Sequence, residues 1–175
     1  MRPNLATPSL AMARAAVVAA LLAAGPLAAR ADQGGIALSL SGAAGALGVT
    51  SQTLRGGVTN TYPLLEAHLE AGLPLRGGAL VLLGNLALPI NQKSLGPLLS
   101  AGGGLRLGPP FLLLTLGGGY TIWDVGTADS LTGPSLFAHL AIPLLGGFGL
   151  HLNAQGHFLG PVSGIGATLG VGFSD

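Results

Sequence analysis

The chain has 175 residues, of which seven are Lys or Arg and six Asp or Glu. Charged types make up 7% against about 25% in an ordinary soluble domain, while apolar types reach 49%. A soluble globule could hardly cover its surface with so few charges. The apolar content excludes a disordered chain, and 31 glycines without a strict three-residue period exclude collagen.

The first 31 residues read as a secretory signal peptide. Arg2 and Arg14 are positive, residues 15–24 are uncharged and apolar, and Gly25-Pro26 breaks the run. Ala29-Arg30-Ala31 then forms a small-residue cleavage site before Asp32. The apolar run is far shorter than the roughly 20 residues a membrane helix needs. Residues 32–175 are expected to form one domain. Arg55, Arg76, Lys93 and Arg106 face Asp32, Glu66, Glu70, Asp124, Asp129 and Asp175, a net charge of −2. That balance excludes a basic nucleic-acid surface. With no cysteine, disulfides, thiolate metal sites and cysteine-linked lipids are excluded as well.

Only helix bundles and closed barrels satisfy their backbone in lipid. After the signal peptide, the two strongest apolar runs, 77–90 and 111–123, are too short for spanning helices and are broken by glycine. Alternation points to strands instead. In chain order they are expected at 35–47, 62–74, 78–89, 97–107, 111–123, 134–143, 147–159 and 163–173. The second strand is the clearest: Leu65, Ala67, Leu69, Ala71 and Leu73 alternate with Glu66, His68, Glu70 and Gly72, so the two sets face opposite sides. The fourth sets Ser100, Gly102, Gly104 and Arg106 on its polar side. The sixth carries His139 among apolar residues. On the seventh, His151, Asn153, Gln155 and His157 oppose Leu150, Leu152, Ala154 and Phe158. The eighth alternates Leu169, Val171 and Phe173 with glycine and Thr168.

Eight is the even number expected of a closed antiparallel up-and-down transmembrane β-barrel, an all-β fold. Its links alternate in length. Residues 48–61, 90–96, 124–133 and 160–162 are expected at the outer end, the last of them short and a departure from the pattern, with tight turns near Arg76, Pro109 and Leu145 at the periplasmic end. Tyr62, Phe111, Tyr120, Trp123, Phe148, Phe158 and Phe173 lie near strand ends, as aromatic girdles require. Phe137 is interior.

A signal peptide, eight alternating strands and a last strand Ala167-Thr168-Leu169-Gly170-Val171-Gly172-Phe173 resemble the small outer-membrane β-barrel family, the type of the outer membrane protein A barrel domain and outer membrane protein X. The resemblance spans residues 32–175. It implies export and residence in the outer membrane of a Gram-negative bacterium. The implied partners are membrane lipid, lipopolysaccharide and, during biogenesis, the barrel-assembly machinery; a monomer is expected. Family members usually end on an aromatic residue, whereas Ser174 and Asp175 follow Phe173 here. The peptidoglycan-anchoring role of family members with a further periplasmic domain is not carried over.

The predicted lumen set is Glu66, His68, Glu70, Arg106, His139, His151, Asn153, Gln155 and His157, joined by Asn85, Ser100, Thr115, Ser135 and Thr168. A charge in a narrow lumen is costly unless paired. These residues therefore read first as a hydrogen-bonded plug, Arg106 offsetting Glu66 or Glu70, with no cofactor, metal or catalytic group. A turn centred near Leu145 would set His139 opposite His151. With Glu70 these two are the alternative, a divalent-metal site. Lipid A deacylases are eight-stranded barrels too, but no His-x-Ser pair shares a strand face here. Ser135 and His139 are about 13 Å apart along their strand. A triad of Ser163, His157 and a loop Asp is the remaining catalytic arrangement.

The expected function is thus a structural or passive envelope barrel with at most a narrow, porin-like pore. The alternatives are a barrel that binds or transports small apolar molecules and, behind it, a lipid-modifying enzyme.

Overall fold

The structure is a computed structural model that describes residues 35–51, 58–90, 95–125 and 130–174. The signal segment expected at 1–31 lies outside the described residues. Eight strands follow one another: β1 (Ala37–Ser51), β2 (Val58–Leu75), β3 (Gly78–Pro89), β4 (Leu98–Leu107), β5 (Leu113–Trp123), β6 (Leu131–Leu145), β7 (Phe148–Leu159) and β8 (Val162–Ser174). Each pairs antiparallel with its neighbours in sequence, and β1 pairs with β8 to close the ring. No helix among the described residues is long and apolar enough to cross a membrane. A barrel crosses with strands.

Period-two patterning sorts the side chains as the sequence implies. Leu69, Leu150, Leu152, Leu169 and Val171 point outward and are exposed, whereas Glu66, His68, Glu70, His151 and Asn153 are buried inside. Leu80, Leu82, Leu99, Leu105, Leu116, Ile122, Leu136 and Ile165 extend the apolar outer surface around the ring. In water such a surface would be an association hazard. In hydrocarbon it is the matching face.

One end of the barrel carries the β2–β3 and β6–β7 hairpin turns and the β4–β5 link at 108–112. Gly77 (φ 90°) closes the β2–β3 turn, and Gly146 and Gly147 (φ 59° and 77°) close the β6–β7 turn. Two successive positive φ angles suit the primed two-residue hairpin turn, which glycine adopts without strain. The turn therefore sits on Gly146-Gly147, later than the expected centre at Leu145. Leu145 faces Phe148 across it, with a register shift between Pro143 and Leu145. His139 consequently pairs with Asn153, and Ala141 with His151. The directly opposed His139–His151 pair is corrected to a diagonal one.

At the loop end, β1 runs on to Ser51 and β2 starts at Val58. The long loop expected at 48–61 shrinks accordingly, because Val49, Thr50 and Ser51 pair with Asn60, Thr59 and Val58. β6 likewise begins at Leu131 rather than 134. β5 starts at Leu113, two residues late, because Leu112 N–H donates to the Pro109 carbonyl in the preceding turn.

Inward glycines let neighbouring strands come close. On β4 and β5, Gly102 pairs with Gly119 and Gly104 with Gly117. A Cβ on Gly117 would lie 2.6 Å from the Gly103 carbonyl oxygen, and one on Gly119 would run into the Ala101 carbonyl. This seam has no room for side chains.

Candidate lumen site

The lumen is filled in layers. Nearest the loop end, Leu47, Val49, Leu64, Ala87, Leu98, Trp123 and Leu159 form a buried apolar cluster. Trp123 is only 3% exposed and its Nε1–H donates to the Gly96 carbonyl at 3.3 Å. Tyr62 packs against the same cluster. Both were expected in the outer girdle. They face inward because they share parity with Thr121 and Glu66, which line the lumen. Tyr120, Phe111, Phe158 and Phe148 are the exposed aromatics near strand ends. Phe148 meets Phe173 edge to face, with ring centroids 5.2 Å apart.

Beneath this plug lies a polar layer. Ser100 Oγ is 2.7 Å from Thr121 Oγ1, which is 3.0 Å from His157 Nδ1. Across the lumen, Asn153 Nδ2 donates to Thr168 Oγ1, and Thr168 donates to Glu66 Oε2 at 2.7 Å. Asn85, Ser135 and Gln155 are buried as well.

Closer to the turn end, Glu70 is the hub. Its Oε2 accepts from Arg106 Nη2 at 2.6 Å and from Thr115 Oγ1 at 3.1 Å. Its Oε1 lies 3.0 Å from His68 Nε2 and 2.8 Å from His139 Nδ1. A carboxylate paired with a guanidinium is ionised and can only accept, so both imidazoles donate to it. His139 then offers a lone pair at Nε2, which accepts from His151 Nδ1 at 2.8 Å. The rings of His139 and His151 are nearly parallel, 18° between their planes and 5.1 Å between centroids, and meet edge to edge through this bond. Four strands beyond β2 thus contribute to one carboxylate and its immediate neighbours.

All nine residues of the predicted lumen cluster are buried inside the barrel. Glu70, rather than Glu66, takes Arg106. Of the three candidate ligands, Glu70 and His139 converge, but His151 contacts His139 and not the carboxylate. His68, on the same strand face as Glu70, fills the third place: His68, Glu70 and His139 bring one ligand atom each within 4.8 Å of one another. The sequence signal was the i, i+2 spacing on β2, which puts both side chains in the lumen. His157 belongs to the separate Thr121 chain. Ser163 pairs with Phe158, whose ring is on the outer surface, whereas His157 pairs with Gly164 inside. The Ser163–His157 arrangement is therefore excluded by parity.

These features define a closed eight-stranded antiparallel barrel with an apolar outer surface and a lumen occupied by its own side chains. Neisserial surface protein A shares this fold, with a TM-score of 0.53 at 13% identity over 79% of this chain and 96% of that one. So does Ail, the attachment invasion locus protein of Yersinia pestis, with a TM-score of 0.54 at 16% identity over 79% of this chain and 98% of that one. The fold is that of small eight-stranded outer-membrane β-barrels. No protein-family model matches the sequence, and no curated protein matches it significantly.

Proposed function

We propose that the chain is an integral outer-membrane barrel of a Gram-negative bacterium, exported through the signal peptide at 1–31, with a structural or passive role in the envelope and no catalytic activity. The apolar band of outward leucines supports membrane residence, since that surface is matched by hydrocarbon and not by water. Lipid and lipopolysaccharide are the expected surroundings, with the barrel-assembly machinery acting during insertion.

One observation carries the passive role. The apolar cluster of Leu47, Leu64, Leu98, Trp123 and Leu159 lies across the loop end, above a lumen filled by buried polar side chains. Eight strands enclose a space that side chains can just fill, whereas open aqueous channels come with about 16 strands. The loop links are also short: only 52–57 separates β1 from β2, and 160–161 separates β7 from β8.

Membrane fractionation with heat-dependent gel mobility tests the location, and planar-bilayer recording tests the closed lumen. The expected results are an outer-membrane band that shifts on boiling and no large conductance steps. Recovery in a soluble fraction would refute the location. Stable porin-sized steps would refute the passive reading.

A further inference from the structure

The barrel's four histidines are all inside it, and three of them gather on one side of Glu70. We propose that His68 Nε2, Glu70 Oε1 and His139 Nδ1 bind one divalent transition-metal ion of the zinc class within the lumen.

The donor chemistry is two imidazoles and one carboxylate. That set suits zinc, and also cobalt, nickel or copper, in preference to magnesium or calcium. The spacing is close to what such an ion requires. Ligand atoms about 2.0–2.1 Å from a tetrahedral centre are about 3.3 Å apart; here the two nitrogens are 3.0 and 2.8 Å from the shared oxygen, and all three atoms lie within 4.8 Å of one another. To admit the ion, each ring moves slightly away from the oxygen and turns its ligand nitrogen toward the common centre.

The surroundings hold the ligands as metal sites hold theirs, by hydrogen bonds from the atoms behind them. The second oxygen of Glu70 is fixed by Arg106 and Thr115. The second nitrogen of His139 faces His151 Nδ1. That contact accommodates the change in protonation. Without metal, His139 carries its proton on Nδ1 and accepts from His151. With metal on Nδ1, His139 carries its proton on Nε2 and donates to His151 Nδ1, while the proton that His151 Nδ1 held moves to His151 Nε2, which is buried without a protein partner. His151 is thus a positioning residue, not a ligand. His68 Nδ1 is buried without a protein partner, so it can carry the proton that His68 Nε2 gives up without breaking a bond.

Access differs at the two ends. The apolar cluster covers the loop end. Towards the turn end, the inward residues on β1, β2 and β8 include Ser39, Ser41, Gly72, Gly172 and Ser174. The hydroxyls of Ser39, Ser41 and Ser174 are buried without a protein partner. The same end also carries the buried apolar side chains of Ala79 and Val81 on β3, so an ion entering there would pass along the β1–β8 side, past small and polar groups.

The test uses tag-free, folded full-length barrel in detergent, stripped with chelator. Zinc binding is followed by calorimetry and metal analysis, and cobalt binding by visible absorption. The expected result is one ion per chain and a tetrahedral cobalt spectrum that zinc abolishes. His68→Ala and His139→Ala should each weaken binding by more than 100-fold, and His151→Ala by about 10- to 100-fold. His157→Ala should leave it unchanged, with heat-shifted gel mobility confirming that each variant is folded. If a histidine variant does not fold, the cobalt titration of the unmodified protein decides alone. Absence of a 1:1 complex, or binding that survives both His68→Ala and His139→Ala, would overturn the proposal and leave the cluster as a hydrogen-bonded plug.

Discussion

Cutting the Glu70–Arg106 pair from its two sides should have unequal costs. Glu70 is fully buried and accepts four hydrogen bonds of 2.6–3.1 Å. Glu70→Ala removes every one of them and leaves the Arg106 guanidinium, itself 4% exposed, without its carboxylate. Breaking a buried pair in this way costs about 3–5 kcal/mol. Arg106→Met is milder. The carboxylate keeps His68, His139 and Thr115, so the loss approaches that of one charge-assisted hydrogen bond, about 1.5–3 kcal/mol. The double variant removes both charges together and should be less destabilised than Glu70→Ala alone. Urea unfolding from lipid vesicles, with chelator throughout, measures all three. Trp123 is the only tryptophan and lies inside the lumen, so its fluorescence reports the transition directly. Arg106→Met costing as much as Glu70→Ala, or a double variant equal to the sum of the singles, would refute the hub described here.

Leu152→Arg, placed on the outer face between Leu140 and Leu169, should cost about 2–4 kcal/mol in bilayers. His151→Ala should cost less in the same unfolding assay, and equal tolerance would contradict the face assignment. Gly119→Ala should cost about 1–3 kcal/mol, because its methyl meets the Ala101 carbonyl. Gly84→Ala meets nothing within 4 Å and should gain about 0.5–1 kcal/mol in denaturant midpoint measurements. Trp123→Ala should lose about 3–5 kcal/mol by circular dichroism and, by thinning the plug, raise the small-ion leak in planar bilayers.

Much of the architecture is legible because one period governs it. Leu65 to Leu73 and Phe148 to Phe158 alternate so strictly that strand, face and burial follow together. Trp123 and Tyr62 show where a composition-level rule gives way to parity. An aromatic residue at a strand end serves a girdle or a plug equally well, but Trp123 sits two residues from Thr121 and must share its face. The His139–His151 register was misplaced because a β6–β7 turn was centred on Leu145, whereas the adjacent glycines Gly146 and Gly147 supply the two positive φ angles. His68 escaped the metal candidates for a different reason. Which residues of β2 meet β6 across the ring depends on strand stagger, and local alternation carries no record of it.

Closure of the ring has a consequence for how the molecule is made. The strand nearest the N-terminus is stitched to the last one, from Ser39 with Ser174 to Ser51 with Val162. These partners are at opposite ends of the chain, so the seam cannot be sewn while β8 is still being synthesised. Until then β1 offers one bare edge, with unpaired N–H and C=O groups open to any passing strand. Pairings of such high sequence separation also form slowly. Closure of the ring therefore waits for β8, and until β8 arrives that edge of β1 has no strand of its own to pair with.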